Sequence, residues 1–200
     1  MIKGLAAFGA LALLPKVGVM SNQVNKRLHF VGVGSGGTSA MMHMHAKGID
    51  AKYTCITGPF VDHITPDVWH LFYVAPREYR VYNNIQEIAL TQEMKDIFKE
   101  EDHYIILTGL GGISGTGLIS NILKHLQSNG KKYHSICSLP YKEEGRYRME
   151  HANKKKAELE KNENVAIFDQ NPKGGLNIAK ALEKGYEISY QILKARINLV

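Results

Sequence analysis

Twice in this chain a run of strand-forming residues passes through clustered glycines directly into a helical pattern. Leu28–Val33 leads through Gly32-Val33-Gly34-Ser35-Gly36-Gly37 into a helix over Thr38–Ala46. Tyr104–Thr108 leads through Gly109-Leu110-Gly111-Gly112-Ile113-Ser114-Gly115-Thr116-Gly117 into a helix with Leu118, Ile119, Ile122, Leu123 and Leu126 on its apolar side. A strand, a tight turn and a helix make the unit from which parallel sheets are built. A glycine-dense turn at a helix N-terminus also points backbone N–H groups and the helix dipole at an anion. The plainer alternative is a tight turn whose glycines supply only backbone freedom.

Further strands are expected at Lys52–Ile56, Trp69–Val74, Tyr133–Ser138 and Asn164–Asp169, with a helix over Asn84–Lys99. A last helix runs from Leu176 to Ile197, where Ile178, Ala181, Gly185, Ile188, Ile192 and Ala195 recur at three- and four-residue spacing. The expected fold is α/β: a Rossmann-like parallel sheet with helices on both faces, ending in a long helix. The expected division is an apolar N-terminal arm over 1–26, a nucleotide-binding domain over 27–175 and a C-terminal helix over 176–200. The first glycine turn matches the dinucleotide pattern, but that reading needs an acid at the end of the next strand. Here the strand ends in Thr57-Gly58-Pro59, so a dinucleotide enzyme is disfavoured.

The net charge of +6 suits an anionic partner. Its densest run, Lys154-Lys155-Lys156, has no aromatic residues between its cations and reads as a solvated helix face, so nucleic acid is not indicated. Cys55 and Cys137 sit in apolar strands and suggest buried thiols in a reducing compartment, the cytoplasm. His43 and His45 are two apart on a helix and point to different faces, so no metal site is expected. Gly4–Leu14 is an unbroken apolar run, too short to span a bilayer, which takes about 20 residues. It reads as an arm that docks on a neighbouring subunit in a homo-oligomer or larger assembly, with membrane contact the less favoured use. Met20 offers an alternative start to Met1.

The second glycine stretch resembles the signature loop of the FtsZ/tubulin superfamily, GGGTGTG or GGGTGSG. Gly111–Gly117 reads GGISGTG, with Ile113 where the family has glycine, so a locally remodelled loop is expected. Leu28–Met44 is similar to the family's first phosphate loop, close to VIGVGGGGGNAV. Pro140, Tyr141, Glu144, Gly145 and Arg148 fall in step with the family's PFxFEG and following arginine. The resemblance implies phosphate contacts from Gly34, Ser35, Gly36 and Gly37, and from Gly111, Gly112, Ser114, Gly115, Thr116 and Gly117. It implies that Glu144 holds the ribose and Arg148 lies against the nucleoside. Asn171, after the last strand, would read the guanine edge and favour GTP over ATP, with Asp169 the less favoured alternative in a shifted alignment. Glu143 and Glu144 also suit a helix N-terminus in their own right, at about 0.3–1 kcal/mol. The family's aspartate after the second strand has no counterpart at Thr57-Gly58, and its phosphate-sensing glycines are missing from Arg77–Asn84. Arg77 and Arg80 are candidates to approach phosphates, or simply exposed loop cations. Tyr186 is a candidate for base stacking or for core packing.

The implied ligand is GTP or GDP, with magnesium as an optional companion. The implied activity is guanine-nucleotide-dependent self-assembly. The resemblance covers about residues 27–197, only the first half of the family's architecture, and the second domain is read as absent. The family's catalytic acid lies beyond the last helix, so no catalytic residue is assigned and at most weak GTP hydrolysis is expected. The competing expectation is a structural assembly subunit that kept the fold and lost the nucleotide.

Overall fold

The computed structural model describes residues 28–58, 64–75, 85–101, 103–171 and 178–197. The elements in chain order are β1 Leu28–Val33, α1 Gly34–Ala46, β2 Lys52–Thr57, β3 Trp69–Phe72 and α2 Gln92–Asp96. They continue with β4 His103–Gly109, α3 Ile113–Ser128, β5 Lys132–Leu139, α4 Arg146–Leu159, β6 Val165–Asp169 and α5 Ile178–Ile197. A 3-10 turn, Lys142–Glu144, links β5 to α4. The six strands form one parallel sheet in the order β3-β2-β1-β4-β5-β6.

Every residue of β1 is buried, as a parallel strand covered on both faces requires. Alternate residues divide between two cores. Val31, Val33, Ile56, Tyr104, Ile106 and Cys137 pack under α2, α3 and α4. Leu28, Phe30, Cys55, Ile105, Leu107 and Ile136 pack under α1 and α5. Both cysteines are free and buried, and burial pushes their thiols up to about 11 at Cys55 and about 12 at Cys137, which keeps them protonated. Among the described residues no helix is long and apolar enough to cross a membrane, and no group of three or more His, Cys, Asp or Glu is placed to hold a metal. His43 turns to Glu187 on α5 while His45 turns to Asp67. The apolar run at residues 4–14, Met20, Arg77 and Arg80 lie outside the described residues.

The sheet and the long helices stand where the periodicity puts them, but four local expectations need correction. The helix expected over Asn84–Lys99 is only Gln92–Asp96. The Thr91 hydroxyl accepts the Met94 N–H and starts that helix. Upstream, Ile88 is held against α3: its N–H donates to Gly117 O, and its carbonyl accepts from Asn121. The strand expected to reach Val74 ends at Phe72. The glycine turns are shorter than expected, because α1 begins at Gly34 and α3 at Ile113. The lysine run is not a uniformly solvated face. Lys155 is buried and donates to Ser120 Oγ at 2.9 Å, Glu158 Oε2 at 2.7 Å and Glu87 Oε1 at 3.4 Å. Those three acceptors satisfy the ammonium, so its charge can be withdrawn from water.

Candidate functional site

The strand order reverses direction between β1 and β4, and in open α/β sheets ligands enter at such a switch point, beyond the strand C-termini. Both glycine stretches lie there. Gly34 takes φ +70° and Gly111 φ +88°, conformations open to glycine. The two stretches touch: a β-carbon on Gly34 would lie 3.3 Å from Gly115 N, and one on Gly36 3.5 Å from Gly109 Cα. Ile113 is the first helical residue of α3, and the positive φ falls on Gly111. The remodelling expected at Ile113 is therefore absorbed by an ordinary helical backbone.

No side chain caps the N-terminus of α1 or α3, and neither first turn carries an acid. Their leading N–H groups are thus left without side-chain acceptors, and nothing there offsets the positive dipole end. A cleft of about 360 Å³ opens in front of them. Its floor is Ser35, Gly36, Ser39, Gly109, Gly112 and Ser138. Glu144 and Arg148 stand at its rim. Glu144 Oε1 accepts the Tyr141 N–H at 2.9 Å, and its Oε2 accepts from the Arg148 guanidinium. Gly111 seats this corner against the loop, since a β-carbon there would lie 2.8 Å from Arg148 O and 3.2 Å from Pro140 Cγ.

Of the residues proposed from sequence, Ser35, Gly36, Gly112, Glu144 and Arg148 line the cleft. Gly34, Gly37, Gly111 and Gly115 hold the two glycine stretches, β4 and the Arg148 turn in close contact beside it, whereas Gly117 lies against Ile88 and Gln86. Thr116 is buried, and its hydroxyl oxygen accepts the Gly111 N–H at 2.8 Å, so it braces the loop from within. Ser114 is half-buried and lies outside the cleft lining. Asn171 is also outside it. Its Oδ1 accepts the Lys142 N–H at 2.9 Å, and its Nδ2 donates to Pro140 O at 3.2 Å and to the Asp169 carboxylate. The amide ties the β5–α4 turn to the end of β6.

Sequence reasoning passed over Ser39, Ser138, Gln170 and Leu182, which also line the cleft. Two of these carried a signal. Ser39 follows Ser35 by one helical turn, and Gln170 follows Phe168 by the two-residue period of a strand. Tyr186, considered for stacking or packing, packs against the α1–α5 core and also lines the cleft.

The fold and cleft define a doubly wound α/β protein with an anion-ready opening at its switch point. Comparison with known proteins shows what this class is similar to. The GTPase-domain model of the Tubulin/FtsZ family matches residues 78–174. The cell division protein FtsZ of Aquifex aeolicus is 28% identical over 163 residues, covering 74% of this chain and 42% of FtsZ. An empty FtsZ dimer from M. jannaschii superposes with a TM-score of 0.64 at 19% identity, over 84% of this chain and 53% of that one. A GTPγS-bound protofilament of CetZ2 from Haloferax volcanii does so at 0.58 and 16%, over 82% and 56%. This chain is thus similar to the FtsZ/tubulin superfamily in part, with the GTPase-domain match confined to residues 78–174. It spans about half the length, or less, of the relatives it matches.

Proposed function

We propose that the chain binds a guanine nucleotide, GTP or GDP, in the switch-point cleft and assembles with copies of itself in the cytoplasm. The observation that carries the proposal is the convergence of two uncapped, acid-free helix N-termini on one cleft of about 360 Å³. The volume lies within the range of small-molecule sites, roughly 300–1,000 Å³. The phosphates take the N–H groups around Ser35, Gly36 and Gly112, with the Ser35 and Ser39 hydroxyls as further donors. A magnesium ion would arrive on the phosphates, because neither first turn offers it a carboxylate. Glu144 accepts ribose hydroxyls, and Arg148 lies beside it. The family match to a GTPase domain and the GTPγS-bound protofilament relative support the ligand, and the dimer and protofilament relatives support assembly.

Extracting the purified protein and separating any bound nucleotide by chromatography tests this directly, followed by titration with GTP. Recovery of guanine nucleotide, or saturable GTP binding, is the expected result. A protein that carries none and binds none is instead the structural subunit without nucleotide, a reading that the internal engagement of Asn171 and Glu144 favours. Glu144→Ala is expected to weaken GTP binding by about 1–3 kcal/mol, the range for hydroxyls left without their acceptor. Unchanged affinity would return Glu144 to a local role at the α4 N-terminus.

The arm over residues 4–14 is proposed to serve assembly. Among the described residues the sheet begins at Leu28, and an apolar run of this kind, where it meets solvent, favours association. A variant starting at Met20 should keep its circular dichroism spectrum and sediment as a smaller species. Loss of the folded spectrum would place the arm in the core.

A further inference from the structure

Past the helix N-termini and the Glu144–Arg148 pair, the cleft ends in a wall of Gln170, Leu182 and Tyr186, with Tyr141 beside them. Leu182 and Tyr186 are four apart on α5 and share one face. An aliphatic chain and a ring on one face suit the flat side of a heterocycle. Two polar groups interrupt this apolar wall. Tyr141 is 3% exposed, and its hydroxyl is buried without a hydrogen-bond partner. A buried hydroxyl in that state is costly unless something arrives to pair with it. Burial, then Tyr186 and Glu144, pushes its ionisation up to about 12, so it stays a neutral O–H. Gln170 brings its carboxamide to the same point. A β-carbon on Gly185 would lie 3.1 Å from Gln170 Oε1 and 3.7 Å from Tyr141 Oη, so both atoms converge where α5 has no side chain.

We infer that Gln170 and Tyr141, and not Asn171, read the edge of a purine whose face lies on Leu182 and Tyr186. The inference rests on the nucleotide reading above. Guanine presents the O6 acceptor and the N1–H donor. The tyrosine hydroxyl donates to the first, and the glutamine Oε1 accepts the second. Adenine reverses both polarities, yet a carboxamide turned over and a hydroxyl rotated satisfy it too. Neither group has a fixed polarity, so the preference for guanine is small. It falls far below the factor of about 10⁴ or more that a site of fixed polarity achieves. A carboxylate at position 170 only accepts. It would pair with guanine N1–H and the 2-amino group, and would repel the lone pair on adenine N1.

The experiment is a competition titration of GTP and ATP on the full 200-residue protein and on Gln170→Glu, Tyr141→Phe and Asn171→Ala, each checked for folding by circular dichroism. The wild type should favour GTP by less than about tenfold, well short of fixed-polarity discrimination. Gln170→Glu should widen the ratio by at least about tenfold, mainly through loss of ATP, the scale of one good bidentate base contact. Tyr141→Phe should weaken both nucleotides by about fivefold, the worth of one hydrogen bond. Asn171→Ala should lower affinity for both alike, because it loosens the turn that carries Tyr141. A ratio moved by Asn171→Ala and untouched by Gln170→Glu overturns the assignment alone. If Gln170→Glu does not fold, a wild-type preference above about 100-fold overturns it instead, being out of reach of two groups of free polarity. A wild type that binds neither nucleotide overturns the GTP reading and this assignment with it.

Discussion

Replacing Gly115 by alanine should cost about 3 kcal/mol or more and disorder the cleft, whereas Gly112→Ala should leave stability within about 0.5–1 kcal/mol of the parent. The two glycines sit three residues apart in the same loop, and only one has room for a methyl group. A β-carbon on Gly115 would collide with the Gly109 carbonyl oxygen and lie 2.6 Å from Thr108 Oγ1. Neither atom can yield cheaply. Gly109 closes the β4–β5 ladder, and Thr108 Oγ1 donates to Val33 O at 3.2 Å, stitching β4 to β1. The relief available is to lift α3 away from β4, which would break the contact between Gly115 and Gly34. At Gly112 nothing lies within 4 Å, and φ is −89°, open to any residue. Urea unfolding of both variants measures the contrast. Equal stabilities would show that the α3 N-terminus is looser than the packing around it indicates.

Stability should fall steeply below pH 6.5, by about 3 kcal/mol at pH 4.5, with His29 as the largest single source. His29 is fully buried in β1, beside the Tyr104 ring, with Nε2 2.7 Å from Thr54 Oγ1 and Nδ1 without a partner. Burial, and secondly the charge of Lys52 on the paired strand, lower its pKa to about 3. The folded pKa is thus depressed below the unfolded value near 6.5. The folded state stays neutral while the unfolded state takes up a proton, so the stabilisation is complete above pH 6.5. It is lost by about 1.4 kcal/mol per pH unit as the pH falls towards 3. His103 and His134, 5.3 Å apart with an edge-on contact, shift in the same direction, chiefly through burial. Denaturant unfolding at pH 7.0, 5.5 and 4.5 reads the slope. His29→Gln, which keeps a group able to bond Thr54 and cannot ionise, should remove most of it. An equal slope in that variant would assign the acid sensitivity to the other histidines.

The sequence made the layers legible because a residue's place in a parallel sheet is a matter of period. Phe30 and Ile106 fall on opposite faces by alternation alone, and the glycine clusters mark where strands stop. What it hid was decided between distant segments. Ile88 follows Ile85 at the helical spacing of three, yet its backbone is claimed by Gly117 and Asn121, and such a tertiary claim outweighs a weak local preference. Thr116, expected among the phosphate contacts, has its hydroxyl oxygen accepting the Gly111 N–H, which only the path of the loop decides. Asn171 and Gln170 differ by one position, and one position at a strand end is the difference between two faces. Glu144 and Arg148 were legible because their spacing of four on a short turn and helix fixes them side by side.

The ladder between β1 and β4, which forms the floor of the cleft, has a bearing on how the protein folds. It joins residues 75 positions apart, such as Thr108 and Val33, while β1 and β2 are brought together across a much shorter stretch. Closing a loop of that length costs about 4 kcal/mol of chain entropy before any contact across it is gained, about 1 kcal/mol more than the β1–β2 closure. The β1–β2 unit with α1 is therefore the cheaper nucleus, and β4 with α3 joins it later. The two helix N-termini come together only at that late step. A ligand that needs both has no foothold on a partly assembled chain, so it should slow unfolding and leave the early folding rate unchanged.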